Sequence, residues 1–429
     1  MEHAVLKSIF AQNYASFADR VEFTCVADSS KKEHSLNTFM MGEQEINKVS
    51  YLYGANGTGK TYFCKIIREI QKIIKYSPLP MIKDKRIQML LQNGEFSNQI
   101  DGFAFDMKYN DEPTMFGIEI IIGKTTYHYE FSILRGEILS ELLTKKHRRT
   151  EKLIERTSPD NSDIILKSEL RELDSMKHIV RHEALCLPMA SVLNNELANR
   201  IVEAIDSINV FNMASPQLDP ARIELFSDEN MKKYAAIISK ADPTIRKMNI
   251  VLSEEEINRQ KAELDDFENR ELIQTQIRVG VNTEHAVYNH GVETDEITTE
   301  IDFFNDESLG TVKLFTTLPY LFDVLENGGV LILDEIENGL HLNLVKDMIS
   351  LFLSEKSNPN HAQLICTTHQ ALLVSENVKR DQIWILTKDG IGKSKLQRLS
   401  GESSPRAKVN LTNKIIEGAM GCSPKHFFE

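Results

Sequence analysis

The sequence lacks the features that mark several classes of protein. Its 429 residues include only five cysteines and no Cys-x-x-Cys pair, so it predicts neither a zinc site nor a disulfide framework, and a reducing compartment suits it. The N-terminal MEHAVLKSIF has no long apolar core of a signal peptide, and apolar runs such as GVLILDE are too short to cross a bilayer. Internal repeats and low-complexity tracts are also missing. We therefore expect a cytoplasmic globular protein without a membrane partner.

Positive charge is scarce as well. Lys and Arg number 50 against 63 Asp and Glu, which gives a net charge of −13. Such a field repels phosphate backbones and argues against a protein whose main task is to coat nucleic acid. The short basic run Lys145–Arg149 could grip nucleic acid, although such a run is more often a charged surface turn. Nucleic acid is therefore a conceivable but unsupported partner. The chain is long enough for two or three domains.

A glycine-rich stretch follows an apolar run near residue 50. The sequence YLYGANGTGKTYFCKII fits the pattern Gly-x-x-x-x-Gly-Lys-Ser/Thr position for position. In a phosphate loop the backbone N–H groups point inward at an anion, and glycine adopts the dihedral angles this requires at little steric cost. The stretch predicts a nucleotide-binding loop made of Gly54, Ala55, Asn56, Gly57, Thr58, Gly59, Lys60 and Thr61.

Two residues of this loop have specific predicted roles. Lys60, which we expect to be exposed, would reach the β- and γ-phosphates of ATP, and the Thr61 hydroxyl would ligate Mg²⁺. A buried strand is predicted over residues 49–53, and apolar residues at helical spacing predict a helix from about residue 61 to residue 74. This helix would aim its positive end at the bound phosphates.

The hydrophobic pattern divides the chain into three segments. Residues 1–137 and their alternating strands predict the N-terminal half of an α/β domain, and residues 277–429, with apolar strands alternating with helices, predict its C-terminal half in parallel βα units. Residues 138–276 are predicted to be an inserted helical lobe that ends in a charged helix over residues 253–276. Its clearest amphipathic stretch carries an apolar stripe of Leu193, Leu197, Ile201 and Ile205.

An acidic pair ends the apolar run Val330–Leu333. Ligands of α/β sheets bind beyond the carboxyl ends of the strands, so these carboxylates would face the same crevice as the phosphate loop. Asp334 would hold Mg²⁺, directly or through water, and Glu335 would orient and deprotonate the attacking water. The alternative is a solvated pair that only starts a turn. Two adjacent acids are a costly end for a buried strand, which favours the catalytic interpretation.

His369 follows the apolar strand of QLICTTHQALL. A histidine at this point could contact the γ-phosphate and sense its loss. A lone histidine after a strand is more often structural. We therefore assign His369 as a catalytic residue because it follows the phosphate loop and the Asp334–Glu335 pair in this order along the chain.

The stretch FFNDESLGTVKLFTTLPYLF opens an amphipathic helix. Ser308 is a natural N-cap, and the small Gly310 and Thr311 after it leave backbone amides accessible. These residues describe a well-made helix start and, equally, an anion-binding helix terminus with no phosphate of its own.

The order of these motifs resembles the heads of ABC-type ATPases, which include structural-maintenance and double-strand-break repair ATPases. More narrowly, the sequence resembles bacterial abortive-infection ATP-binding proteins that share their head with the overcoming-lysogenization-defect (OLD) proteins. The narrower resemblance covers nearly the whole chain. It rests on the segments NYASF, YGANGTGKT, ESLGT, LILDEIENGLH, ICTTH and RDQIWILTKDG.

The resemblance implies a fold and an assembly. Such heads are α/β P-loop ATPase domains, with a mixed sheet that has an antiparallel portion and with an inserted helical lobe. Two protomers sandwich ATP and Mg²⁺, and the helix start at Ser308, Gly310 and Thr311 of one protomer would act in trans on the nucleotide held by the other. We therefore expect a homodimer or a higher homo-oligomer.

The resemblance also implies a function, an ATPase switch of antiphage defence that controls an effector. OLD-type proteins carry a C-terminal Toprim nuclease, and no Glu…Asp-x-Asp series follows His369, so we expect a separate effector such as a Toprim or RloB-like nuclease. Two alternatives are a DNA repair or maintenance ATPase that clamps a duplex and a non-enzymatic nucleotide-binding scaffold. The acidic composition and short insertion weigh against the first, and the intact Asp334–Glu335 pair weighs against the second.

Overall fold

A computed structural model describes residues 4–28, 35–79, 100–159, 163–214, 225–250, 281–373 and 378–400. The strands in these ranges are β1 (Ala4–Gln12), β2 (Val21–Thr24), β3 (Thr38–Met41), β4 (Gln44–Asn47), β5 (Val49–Gly54), β6 (Thr114–Ile122), β7 (Thr125–Leu134), β8 (Glu137–Lys146), β9 (Thr150–Arg156), β10 (Ile165–Leu166), β11 (Asn209–Asn212), β12 (Ile245–Ile250), β13 (Val281–Asn289), β14 (Val292–Asp302), β15 (Val330–Asp334), β16 (Gln363–Thr368), β17 (Ile383–Lys388) and β18 (Ser394–Arg398). The α-helices are α1 (Lys60–Tyr76), α2 (Cys186–Val192), α3 (Glu196–Asp206), α4 (Asp228–Ala241), α5 (Phe303–Asp306), α6 (Leu309–Asn327) and α7 (Leu342–Leu353).

The chain divides into two compact units. The first comprises Met1–Val210, Val324–Glu335 and Ile349–Glu429, and the second comprises Phe211–Asp323 and Ile336–Met348. These limits differ from the predicted division at residues 138 and 276. The predicted charged helix over 253–276 lies outside the described residues.

A mostly parallel sheet, whose strands β15, β16, β5, β17 and β18 belong to the first unit, has the strand order β11-β15-β16-β5-β17-β18. Strands β15, β16, β5 and β17 run parallel to one another, and β18 pairs antiparallel with β17. Every residue of β5, β15 and β16 is buried, as expected for parallel strands with covered faces. The carboxyl ends of β5, β16 and β15 therefore lie side by side at one edge of this sheet.

Helix α1 follows β5 and has the predicted apolar face. Its buried side chains include Phe63, Ile66, Ile67, Ile70 and Ile73. They belong to the same hydrophobic core as Leu52 of β5 and Ile332 of β15. This burial fixes the start of the helix, and with it the phosphate loop, relative to the sheet.

A seven-stranded sheet in the same unit has the order β10-β9-β8-β7-β6-β1-β2, and its described pairs are antiparallel. The strands predicted within residues 1–137 include β1 and β2, which pair antiparallel. The prediction of helix from residue 138 is wrong for residues 138–156, which form β8 and β9. Ile138, Leu142 and Leu143 suit a helical stripe as well as a strand, and pairing with β7 decides between them.

The amphipathic stretch that was predicted as one helix is two. Helix α2 ends before Leu193, which is exposed, and α3 starts after Asn195. Asn194 has a positive φ of 61°, and the Asn195 side chain accepts a hydrogen bond of 3.0 Å from Ala198 N. The helix breaks here because asparagine tolerates the left-handed region and caps a new N-terminus well.

The second unit combines helices with a three-stranded antiparallel sheet, β12-β13-β14. The predicted apolar face of α6 is confirmed, because Leu314, Phe315 and Leu318 are almost fully buried. Phe315 packs against Phe303 and Phe226, with ring centroids 4.9 and 6.0 Å apart. This packing holds the N-terminal half of α6 within its unit.

The predicted α/β fold class is confirmed. A parallel sheet carries the glycine-rich loop between β5 and α1, and an antiparallel sheet is formed in the same unit. No helix in the described ranges is long and apolar enough to cross a bilayer.

Candidate nucleotide-binding site

The phosphate loop connects the buried strand β5 to the first turn of α1. Gly57 and Gly59 have φ values of 79° and 106°, a region that residues with a Cβ rarely adopt. A Cβ on Gly54 would lie 2.5 Å from Thr58 Oγ1 and 2.9 Å from Leu386 O. The backbone conformation therefore favours glycine at positions 57 and 59, and the lack of space requires it at position 54.

Lys60 is buried, contrary to the expectation that it is exposed. Only 6% of its surface is accessible, and Nζ donates to Gly54 O at 2.7 Å and to Ala55 O at 3.1 Å. The buried ammonium group is hydrogen-bonded to the loop carbonyls. The charge of Lys60 is thus held inside the loop, where an anion would contact it.

Two threonines flank the end of this loop. Thr58 is buried, and its Oγ1 donates to Ala55 O at 2.8 Å, which closes the turn. Thr61 is partly exposed in the first turn of α1. The hydroxyl of Thr61 is therefore near the helix N-terminus, where the N–H groups outside intrahelical bonding lie.

Asp334 ends β15, with β16 alone between it and the loop strand β5. Its side chain is buried, and Oδ1 accepts a hydrogen bond of 2.6 Å from Thr367 Oγ1. Among the described residues Oδ2 has no hydrogen-bond partner. A buried carboxylate oxygen without a partner is costly, and a cation is the usual compensation.

Cys64 lies beside this carboxylate. Burial raises the pKa of the Cys64 thiol well above its ordinary value, and the charge of Asp334 raises it further. The sulfur is therefore neutral and adds no second negative charge beside Asp334.

The donor set at this edge fits Mg²⁺ held together with phosphate. Mg²⁺ in nucleotide sites is bound by one or two protein oxygens, and the phosphates and water complete its octahedron. Thr61 and the free oxygen of Asp334 would be those protein ligands. No group of three or more His, Cys, Asp or Glu side chains within the described ranges could hold a metal ion by itself.

Glu335 has an unusual backbone conformation. Its φ is 55°, a left-handed conformation that is uncommon for a residue other than glycine, asparagine or aspartate. Its N–H donates to Thr367 Oγ1 at 2.8 Å, and its side chain is partly exposed. The turn at Glu335 therefore takes the chain out of the sheet directly after Asp334 and keeps this carboxylate accessible to water.

Thr367 is a residue whose importance the sequence analysis missed. It is fully buried in β16 and its hydroxyl joins Asp334 Oδ1 to Glu335 N. The only sequence signal was the threonine pair before the histidine in ICTTH. His369 itself is exposed just after β16, at the strand edge that carries Asp334 and the phosphate loop.

The third motif lies in the second unit. Ser308 is confirmed as the N-cap of α6, since its Oγ accepts from Thr311 N at 3.1 Å and lies 2.7 Å from Thr311 Oγ1. A Cβ on Gly310 would lie 2.6 Å from Gly339 O, so the two backbones approach closely. Ser308, Gly310 and Thr311 are thus in a different unit from the phosphate loop, Asp334, Glu335 and His369.

A small polar cluster holds the residue before this cap. Glu307 Oε1 lies 2.6 Å from His285 Nε2 and also accepts from Thr283 Oγ1. The Glu307 side chain is 5% exposed. Because a buried carboxylate needs such partners, His285 and Thr283 of β13 fix the chain direction at the start of α6.

Comparisons with known proteins give one partial family match. A family model described as "AAA domain, putative AbiEii toxin, Type IV TA system" matches residues 219–375. That range includes Ser308, Asp334, Glu335 and His369 but not the phosphate loop. A comparison with curated proteins finds no match.

Several solved structures are distantly similar. One is an SMC head bound to the C-winged helix domain of ScpA, with a TM-score of 0.42, 14% identity and coverage of 92% of this chain and 98% of that chain. The SMC head domain from Thermotoga maritima has a TM-score of 0.32 and 11% identity, with coverage of 92% of this chain and 98% of that chain. The recombination mediator RecF with ATPrS has a TM-score of 0.33 and 15% identity, with the same two coverages of 92% and 98%. The α/β fold assignment rests on the chain's own strand order and on the geometry of its glycine-rich loop.

Proposed function

We propose that this chain is an ATP-hydrolysing switch of an abortive-infection type of antiphage defence. The observation that carries the ATPase part is the sheet edge shared by the phosphate loop and Asp334, with one strand between them. A lysine held in the loop and a buried carboxylate oxygen that has no hydrogen-bond partner within the described part of the chain are the charges that ATP and Mg²⁺ require.

Binding of ATP is assigned to the phosphate loop. Its backbone amides and Lys60 would cradle the phosphates, and Thr61 and Asp334 would hold Mg²⁺, which when bound neutralises phosphate charge. The contacts of Lys60 with Gly54 O and Ala55 O already fix its ammonium group in the loop. Phosphate binding would therefore require little reorganisation of this side chain.

Hydrolysis is assigned to Glu335. The carboxylate lies one residue beyond the metal-facing Asp334 and is partly exposed, so it would orient a water molecule and take its proton. The hydrogen bond from Glu335 N to Thr367 holds the backbone of this residue. His369, on the neighbouring strand end, would contact the γ-phosphate and respond to its loss.

The second unit would supply the contact in trans. Ser308 caps α6, whose first turn carries N–H groups outside intrahelical bonding and the positive end of the helix dipole. We assign Ser308, Gly310 and Thr311 to the nucleotide bound by another protomer. Two protomers would then close around ATP, which makes a homodimer or higher oligomer the active form.

A mixed-dimer experiment tests this composite site. Ser308→Arg should retain nucleotide binding but lose hydrolysis, and Lys60→Ala should lose both. An equimolar mixture should regain part of the wild-type activity, because one site in each mixed dimer keeps an intact loop and an intact trans contact. Absence of ATPase activity in the wild type would contradict the proposal, and absence of rescue in the mixture would contradict the trans assignment.

The control of a separate effector is tested in the native operon. Co-purification with mass spectrometry and mass photometry should identify a second subunit, for which a Toprim or RloB-like nuclease is the expected class. Its association should change when ATP is replaced by ADP. Purification with duplex DNA and repair proteins instead would favour a maintenance ATPase.

A further inference from the structure

Two serine hydroxyls lie directly behind the phosphate loop. Ser394 is the first residue of β18, and Ser16 lies in the turn between β1 and β2; each is 3% exposed. Ser394 N donates to Ser16 O at 2.8 Å. The two serines are thus joined through the backbone as well as through their side chains.

Their hydroxyls form a directed hydrogen-bond chain to the loop. Ser394 Oγ lies 2.6 Å from Thr58 O and 2.8 Å from Ser16 Oγ. The Thr58 carbonyl can only accept, so the single proton of Ser394 is donated to it. The Ser16 hydroxyl must then donate to Ser394 Oγ. Ser16 therefore orients Ser394, and Ser394 holds the carbonyl of Thr58.

The last glycine of the loop rests against both hydroxyls. A Cβ on Gly59 would lie 2.7 Å from Ser16 Oγ and 2.8 Å from Ser394 Oγ. The positive φ of Gly59 and this close approach have the same origin, because the loop backbone passes directly over the serine pair.

The held carbonyl fixes the opposite side of its peptide unit. A trans peptide is planar, so the C=O of Thr58 and the N–H of Gly59 point in opposite directions. With the oxygen bound to Ser394, the Gly59 N–H points away from the serines. We propose that Ser394, oriented by Ser16, is a positioning residue that aims the Gly59 amide at a nucleotide phosphate. This inference rests on the proposed binding of ATP by the loop.

Ser394→Ala tests the proposal in the full-length protein. Titration calorimetry with ATP and with ADP, each with Mg²⁺, should show affinity about fivefold to tenfold weaker than wild type, the equivalent of one hydrogen bond. In steady-state assays the KM for ATP should rise by a similar factor while kcat changes by less than about twofold, since uniform binding is what is lost. Ser394→Thr keeps the hydroxyl and should retain most of the affinity.

Ser132→Ala is the matched control. Ser132 Oγ lies 2.6 Å from Ser140 Oγ in the antiparallel sheet, so the variant also breaks a serine pair but should bind nucleotide as wild type does. Wild-type affinity in Ser394→Ala, or equal losses in both variants, would overturn the inference.

Ser16→Ala provides a second measurement if Ser394→Ala does not fold. It keeps the donor to Thr58 O and removes only its orienting partner, so a loss of about twofold to threefold is expected. Unchanged affinity in Ser16→Ala would then overturn the inference. Failure of the wild type to bind ATP would contradict the proposed function itself, which separates the two results.

Discussion

Thr367→Val isolates the hydrogen bonds that order the acidic pair. Valine is β-branched like threonine, so the substitution removes the hydroxyl with little change in side-chain volume. Asp334 Oδ1 would lose its 2.6 Å donor and Glu335 N its 2.8 Å acceptor. A hydrogen bond to a charged group contributes about 1.5–3 kcal/mol, and an unsatisfied N–H costs about 1–3 kcal/mol. With the hydrogen bond to the charged carboxylate as the main contribution, we expect a net loss of about 2–3 kcal/mol.

This loss should appear in hydrolysis as well as in stability. Glu335 would no longer be held in its left-handed conformation, and Asp334 would be free to rotate. If the transition state bears the full loss, kcat/KM falls by roughly 30-fold to 150-fold. The assays are steady-state ATP hydrolysis over a Mg²⁺ series and denaturant unfolding of the same preparations.

Thr38→Val is the matched control. Thr38 is also a buried strand threonine whose hydroxyl donates to a carboxylate, Glu45 Oε1, at 2.5 Å. We expect this variant to lose stability and to hydrolyse ATP at a rate within about twofold of wild type. If Thr367→Val also hydrolyses within twofold of wild type, the argument that Thr367 orders the acidic pair is refuted.

Three other predictions concern charged groups. Glu335→Gln should bind ATP but hydrolyse it about a hundredfold to ten-thousandfold more slowly, and it should accumulate a closed dimer. Asp334→Asn should form no closed dimer. Sedimentation with ATP and Mg²⁺ distinguishes the two variants. Lys60→Ala should abolish ATP binding in calorimetry and also lose about 1–3 kcal/mol of stability, since this ammonium is buried on two carbonyls. The carboxylates of Glu119 and Glu130, 3.7 Å from Nδ1 and 3.0 Å from Nε2 of His128, raise the pKa of this histidine to about 9. The stabilisation by these ion pairs is therefore complete below about pH 6.5 and is lost as the pH rises through 9. The difference in unfolding free energy between wild type and His128→Gln should shrink over that interval.

Each of these predictions has a result that contradicts it. Similar sedimentation of the two acidic-pair variants would refute the separate roles of metal ligand and base. Tight ATP binding by Lys60→Ala would refute the phosphate-loop assignment. A stability difference for His128→Gln that is constant from pH 6 to about pH 9 would show that the ion pairs of His128 with Glu119 and Glu130 do not stabilise the fold.

The candidate site residues were easier to predict from the sequence than the contacts that support them. The phosphate loop can be recognised from the sequence because the backbone geometry fixes the residue type and spacing at each of its positions. An apolar strand that ends in Asp334–Glu335 can be recognised because it, too, is a local pattern. Thr367 and Ser394 act through contacts with residues more than 30 and more than 330 positions away. No local pattern encodes such pairs, so only the folded sheet reveals them.

The errors in the fold have a similar physical cause. Residues 138–156 have spacings compatible with both helix and strand, and pairing with β7 determined their structure. The burial of Lys60 depends on where its ammonium group finds acceptors, which charge alone does not indicate. The paired asparagines at 194–195 were a visible signal for the helix break, since asparagine favours both a left-handed turn and an N-cap.

The left-handed conformation of Glu335 lowers the stability of the fold at a residue whose carboxylate we assign to hydrolysis. A side chain in this region costs of order 1 kcal/mol or more, a cost that glycine would not incur. Glu335→Gly should therefore relax the backbone while it removes the carboxylate. Laboratory selection for thermal tolerance alone would be expected to enrich inactive proteins altered at this position, so a library screened for stability should also be screened for ATP turnover.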